Sequence, residues 1–235
     1  MNKIRILGQQ FKMISFKGRQ FEKTVILMTV RWYLAYALSY RNIEELMLER
    51  GFKVDHSTLN RWVIHYSPLL LNKFKSNKKR VSKSWKMDET YIKIKGKWNY
   101  LYRAVDQFNN TIEFMLSKKR DKKSALKFFK KAIKSSGKPS KINIDKSGAN
   151  KAGIKEINSK LTKKIAIRQV KYLNNIIEQD HRFIKKKIKP MLGFKSFNSA
   201  MATLNGIELH HMLKKEQMNN FKKLNVFEQF YSLAA

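Results

Sequence analysis

The sequence predicts a mixed α/β domain preceded by a small all-α domain of helix-turn-helix type. Two patterns carry this. Apolar residues recur at helical spacing from Phe21 to about Tyr66, and from Trp85 the period changes to strand-like alternation. Charge adds a third observation. The chain holds 51 Lys+Arg against 17 Asp+Glu, a formal net charge of +34 over 235 residues, which calls for a polyanionic partner.

Residues 1–20 are basic and weakly patterned, and read as an N-terminal arm. Phe21, Val25, Met28, Trp32 and Ala35 then share one face of a first helix. Ser39 caps a second helix that turns Ile43, Leu46 and Met47 inward and ends at Gly51. Asp55-His56-Ser57-Thr58 opens a third short helix, Leu59 to Tyr66, with Pro68 past its end. Three short helices with a tight turn before the last make a helix-turn-helix over 21–70. Ser57, Asn60 and Arg61 would point outward from the last helix, where Asn pairs with adenine and Arg with guanine. An ordinary three-helix packing unit with a polar outer face fits the same spacing. Lys73, Lys75, Lys78, Lys79, Arg80, Lys83 and Lys86 follow without an acid, so 71–84 reads as a solvated basic linker that also tracks phosphate.

Trp85–Ile94, Trp98–Asp106 and Thr111–Ser117 are three candidate strands, joined through Gly96-Lys97 and Asn109-Asn110 as an antiparallel meander. Ser124 opens a helix with Leu126, Phe129, Ala132 and Ile133 inward, ended near Gly137. Ile142–Ile144 is a short strand ending on Asp145. Ser147–Ser159 reads as a helix, Ile165–Val170 as a last strand and Asn174–Lys187 as a long helix. Pro190 and Gly193 break that helix, another runs from about Ser196 to Gln217, and the tail is weakly patterned. This order of elements matches a ribonuclease H-like catalytic domain over 85–190 with a C-terminal helical extension over 191–235.

Composition narrows the chemistry. The chain has no cysteine, which excludes disulfides and thiolate zinc sites, and its five histidines lack ligand spacing. No apolar run reaches the roughly 18 residues of a membrane span, so no membrane partner is expected and the expected location is the bacterial cytoplasm, on the nucleoid.

Three acids stand against this positive background. Asp88 lies within the first strand, on the face of Thr90, Ile92 and Ile94 and opposite Met87, Glu89 and Tyr91. Asp145 ends the fourth strand, which can neighbour the first in a mixed sheet. Glu178 begins a helix that can cross that edge. Three such acids would bind two Mg²⁺ about 4 Å apart, suited to in-line displacement at phosphorus. Oxygen-only ligands select Mg²⁺ or Mn²⁺ over softer metals. Each acid also has an ordinary use as a lysine partner, a helix cap or a surface charge. Spacing does not exclude Glu89, Asp106, Asp121 or Asp180 in their place.

The chain resembles transposases of the IS-six (insertion sequence six) family. The matching stretches are Phe16 to Phe21, Arg31 to Leu34, Leu38 to Arg41, Val54 to Thr58, Trp85 to Lys93, Gly96 to Asp106, Tyr172 to Asn175, Ile177 to Arg182 and Met191 to Phe197. The resemblance implies a helix-turn-helix followed by an aspartate-aspartate-glutamate domain, with Asp88, Asp145 and Glu178 as its catalytic and metal-binding acids. It also implies a basic residue seven after the glutamate, which falls on Lys185; Lys186 and Lys187 are expected on other faces. The 32 residues between Asp145 and Glu178 are slightly fewer than the family's usual number, and the stretch after Gln217 matches nothing in it.

The expected activity is transposition. The enzyme would bind the terminal repeats of its own element, with Ser57, Asn60, Arg61 and Arg182 on the DNA. It would cut one strand at each end and join the freed 3′-hydroxyl to target DNA, working as a homodimer or larger assembly. By resemblance the family moves replicatively, through a cointegrate. Two other readings fit the same residues: a non-catalytic helix-turn-helix regulator, and a ribonuclease H-like nuclease without strand transfer.

Overall fold

The computed structural model describes residues 14–18, 20–219 and 224–235. Most of the expected arm, 1–20, lies outside them. Among the described residues the chain begins with three helices, α1 (Lys23–Ala35), α2 (Tyr40–Leu48) and α3 (His56–Ser76). Local chemistry sets their starts. Ser39 and Asn42 form a reciprocal capping box at α2, and the Asp55 carboxylate accepts from the Ser57 and Thr58 amides at α3. Gly51, at φ 76°, turns the chain after α2.

Three expectations fail here. The third helix is not short: α3 has 21 residues and runs through Pro68. An interior proline costs about 3 kcal/mol. Beyond it Leu70, Leu71 and Phe74 are all buried, worth roughly 5–9 kcal/mol together as an upper bound. Burial wins, and the helix continues. Nor is 71–84 a free linker. Its first residues finish α3, Lys75 pairs with the buried Glu113 at 3.2 Å, Lys78 Nζ donates to the Ile112 carbonyl at 2.7 Å, and the Lys79 amide donates to the Gln217 carbonyl at 2.9 Å. The α2–α3 connection spans residues 49–55, longer than the tight turn expected.

The sheet follows as β1 (Ser84–Ile94), β2 (Lys97–Asp106), β3 (Thr111–Ser117), β4 (Lys141–Asn143) and β5 (Ala166–Arg168). Lys95 (φ 48°) and Gly96 (φ 74°) make a two-residue turn with both central residues left-handed, which fixes the β1–β2 register at Ile94 opposite Lys97. Strand order is β3-β2-β1-β4-β5, with β1–β3 antiparallel and β4 and β5 parallel to β1. This is the expected mixed, ribonuclease H-like sheet.

Helices cover both faces. α4 (Lys122–Ser136) and α5 (Gly148–Asn158) pack on the side of Met87, Tyr102 and Ala104. Asp121, not Ser124, caps α4; its inward residues are Ala125, Phe128, Phe129 and Ala132, so Leu126 and Ile133 sit at the margin. The other face carries Ile92, Ile94, Leu101, Phe114 and Leu116, which share one core with α1–α3, α6 (Asn175–Ile188), α7 (Phe197–Lys214) and α8 (Val226–Ser232). α7 is therefore the central helix rather than an extension. Gly206 lets it pass close to α1 and α3: a Cβ there would lie 2.5 Å from Leu34 Cδ2 and 2.6 Å from Ser67 Oγ. The tail also gains an unforeseen helix. Asn225 and Glu228 cap α8 reciprocally, a signal present in the sequence.

Candidate active site

β1 and β4 pair through Lys86 opposite Asn143. Two residues further along both strands stand Asp88 and Asp145, so the parallel register itself brings the two aspartates together. Asp145 sits just past the end of β4, beside the open edge of β1, where side chains from both faces of β1 reach it. Carboxylate oxygens of Asp88, Glu89 and Asp145 all lie within 4.8 Å of one another. Strand alternation had set Glu89 on the opposite face; the strand edge overrides that.

The cluster fits a divalent cation. Its donors are all oxygen, its acids are half-buried, and Glu89 Oε1 is buried without a partner. Burial, with the charges of Glu89, Asp145 and Glu178, raises the Asp88 carboxyl to about 7. Burial likewise raises Glu89, and Arg120 opposes it. The Arg120 guanidinium bridges the acids, 2.7 Å from Asp145 and 3.3 Å from Glu89. Asp145 is further fixed by the Ser147 amide at 3.1 Å and Asn150 Nδ2 at 3.2 Å.

Glu178 occupies the first turn of α6, exposed and outside the 4.8 Å cluster. It is close enough for its charge to act on Asp88. Two attachments hold α6 there. Asn143 on β4 donates to Asn174 Oδ1 at 2.6 Å and accepts from the Val170 amide at 3.2 Å, tying the start of α6 to the strand that delivers Asp145. Deeper in, Asp180 meets Arg103 at 2.7 Å, His211 at 2.6 Å and Lys215 at 2.6 Å, while Arg103 also meets Glu208 at 2.6 Å. Burial alone would raise the Asp180 carboxyl; Arg103, His211 and Lys215 reverse that and hold it well below the usual range. His181 brings Nδ1 within 3.7 Å of Asp88 Oδ2. Burial and the Arg103 charge lower its pKa to about 3, so the imidazole is neutral and the contact is not an ion pair.

The other acids left open by spacing have structural work. Asp106 accepts from the Ser82, Phe108 and Asn110 amides, Asp121 caps α4, and Asp180 anchors α6. Among the basic residues, Arg182 and Lys185 are exposed on α6. Lys186 lines the same groove as Lys185, contrary to expectation, and Lys187 Nζ reaches the Ala35 carbonyl at the end of α1. The three candidate DNA contacts on α3 divide. Ser57 is exposed, and it borders a groove with the half-buried Asn60 and the α6–α7 corner. Asn60 does not point freely outward, being half-buried. Arg61 is exposed, donates to Thr58 Oγ1 at 2.7 Å and faces a second groove beside Lys53 and Asp55.

A family model described as a DDE domain matches residues 82–217, more than half of the chain. The chain is also 44% identical over 208 residues to the Staphylococcus aureus transposase for the insertion sequence-like element IS431mec, covering 88% of this chain and 92% of that protein. The chain belongs to the IS-six family of DDE transposases. The Staphylococcus aureus transposase for IS257 in transposon Tn4003 matches with the same identity and coverage. As a DDE transposase the protein is a polynucleotidyl transferase, and its Asp88–Glu89–Asp145 cluster could hold a divalent ion. Among solved structures, the transposase superposes with a TM-score of 0.43 on the HTLV-2 integrase catalytic core in complex with magnesium, at 20% identity over 55% of this chain and 85% of that one. The fold assignment rests on strand order, not on so distant a likeness. Among the described residues no helix is long and apolar enough to cross a membrane.

Proposed function

We propose that this transposase binds the terminal repeats of its own insertion sequence, cuts one strand at each end to free a 3′-hydroxyl, and joins that hydroxyl to target DNA on the bacterial nucleoid. The observation that carries the proposal is the approach of Asp88 and Asp145 at the β1–β4 edge, with Glu178 presented from α6. These three acids would hold Mg²⁺ or Mn²⁺, two ions in the working site. When bound, the ions supply the positive charge that in-line displacement at phosphorus needs.

The chain's own residues do the rest. Asn150 and the Ser147 amide orient Asp145, and the Asp180–Arg103–Glu208 network sets the height of α6 over the sheet. Arg120 neutralises the acids and is near enough to the site to take a phosphate oxygen once a cation relieves it of Asp145. Lys185 and Arg182 hold the DNA backbone along α6. Ser57, Asn60 and Arg61 are the proposed end-reading residues of the α1–α3 domain. Two ends must be held at once, which calls for a homodimer or larger assembly.

One observation favours a second choice of third acid: Glu89, not Glu178, completes the compact cluster. Cutting and strand transfer on terminal-repeat DNA separate the two. Glu178→Gln should abolish both reactions and leave end binding intact, with Glu89→Gln losing far less. The opposite ranking assigns the role to Glu89. An Asp145→Asn protein that cuts at the wild-type rate would falsify the site altogether.

A further inference from the structure

The β1–β2 hairpin carries exposed aromatic residues that neither the core nor the acid cluster uses. Tyr91 is 50% and Trp98 61% exposed. Their rings stand 6.1 Å apart and nearly perpendicular, and Tyr91 continues to Tyr100 at 5.4 Å. Lys93 Nζ lies 5.8 Å from the Trp98 ring. Across from this ladder stand Lys185, Lys186 and Lys189, with Leu192 95% exposed; together they line a groove of about 840 Å³ that contains no acid.

We propose that this groove binds an unpaired DNA strand, stacking its bases on Tyr91 and Trp98 and its phosphates on the lysines. The proposal deepens the DNA-cutting reading given above. Aromatic faces with interleaved cations fit single strands, because every free base offers a face to stack on. A closed duplex offers no such faces along its length. A second copy of the chain is disfavoured as occupant, since a self-complementary contact would bring lysines against lysines.

Position ties the groove to the chemistry. Tyr91 lies three residues past Asp88 on β1, about 10 Å along a strand. Lys185 lies seven residues past Glu178 on α6, also about 10 Å. A strand in duplex form advances about 3.4 Å per nucleotide and an unpaired one further, so the groove begins at most roughly three nucleotides from the acids. Arg120, which bridges Asp145 and Glu89, also lies within electrostatic reach of Tyr91 and marks the route between them. The strand beside the cut phosphate would thus be unpaired over its last few nucleotides and held by the hairpin.

The test is binding by the full chain, in chelator so that nothing is cut. Three fluorescent probes are compared: a single strand of about 15 nucleotides, a blunt terminal-repeat duplex, and that duplex with its last few pairs mismatched. Tyr91→Ala/Trp98→Ala should lose about tenfold or more for the single strand and the frayed duplex. Its binding to the blunt duplex should stay within about twofold, and Trp98→Phe should restore most of the loss. Both residues are exposed, and thermal melts check that the variants fold. Equal losses on all three probes, or none on the single strand, overturn the proposal. So does a change of oligomeric state in sedimentation, which would make the face a contact between copies. These affinities are read in chelator, whereas the acid-site reading is tested by cutting with Asp145→Asn, so failure of the acid-site reading is told apart from failure of this one.

Discussion

Asp88 is the residue on which pH should act. Burial first, then the charges of Glu89, Asp145 and Glu178, raise its carboxyl from 3.8 to about 7 in the metal-free protein. The sign follows from that direction. Between the unfolded value near 4 and the folded value near 7, the folded protein holds a proton that the unfolded chain has lost. Asp88 therefore favours the metal-free fold at low pH, and that contribution fades as pH rises through this window. A divalent ion must displace the same proton. Calorimetric Mn²⁺ titrations should give weaker binding at about pH 6 than at about pH 8, by up to about tenfold per pH unit below the shifted value. Asp88→Asn should weaken binding and flatten this dependence. Equal affinity at both pH values in the unaltered protein would show that Asp88 is already ionised. Arg120 also acts at this scale. Its pair with Asp145 is partly exposed and worth about 0.2–1 kcal/mol, yet it also screens three acids from one another. Arg120→Ala should lower the melting temperature of the metal-free protein and enlarge the rise on adding Mn²⁺. An unchanged rise would mean that Arg120 does not compete for the site.

At the scale of elements, α6 decides where Glu178 stands, and a buried charge network decides where α6 stands. Arg103 on β2 serves Asp180 on α6 and Glu208 on α7, with all three side chains at most 1% exposed. Arg103→Met would leave two carboxylates buried without their partner, a loss of about 3–5 kcal/mol. Urea unfolding measures it, and a loss below about 1 kcal/mol would show that Lys215 and His211 suffice to hold Asp180. The packing of α7 is as close. Alanine at 206 gains up to about 1 kcal/mol of helix propensity but overpacks Leu34 and Ser67, typically about 1–3 kcal/mol. Contacts of 2.5 and 2.6 Å are far below van der Waals distance, so overpacking should win and Gly206→Ala should melt earlier.

The whole molecule behaves as one unit because one core joins α1–α3 to the sheet through α7. Gly206 on α7 lies against α1 and α3, while Ile207, Leu209 and Leu213 are fully buried in that core. Lys75 and Lys78, at and just past the end of α3, are anchored on the sheet. Single-tryptophan proteins keeping Trp62, in α3, or Trp85, on the far face of the sheet, should unfold at the same urea midpoint. Two separated midpoints would show independent domains. The joint core also fixes the proposed end-reading face of α3 relative to the acids. With a charge of +34, affinity for any DNA should fall steeply with salt, so end specificity is read from the ratio of affinities at one ionic strength.

The sequence by itself determined what is settled within a few residues. Ser39 and Asp55 cap helices because a short polar side chain beside a free amide suffices. Gly96 marked the β1–β2 turn, though the sequence set it at Gly96-Lys97, one residue past the left-handed Lys95-Gly96 pair, and alternation laid out β1 to β3. It also allowed Asp88 and Asp145 to meet, and the parallel β1–β4 pair of the structure brings them together. Tertiary structure decided what depends on distant partners. Pro68 sits inside a helix because Leu70, Leu71 and Phe74 have a core to enter. The basic run after Leu71 is anchored because Glu113 and the Ile112 carbonyl await it. Asp180 is an anchor rather than a metal ligand because Arg103, His211 and Lys215 surround it, and Glu89 joins the acid cluster because β4 ends short of it. Local propensities cost or gain up to about 1 kcal/mol each, about 3 for an interior proline, whereas these long-range contacts bury whole side chains and charges. Where the two conflict, burial and charge pairing outweigh propensity and set the structure.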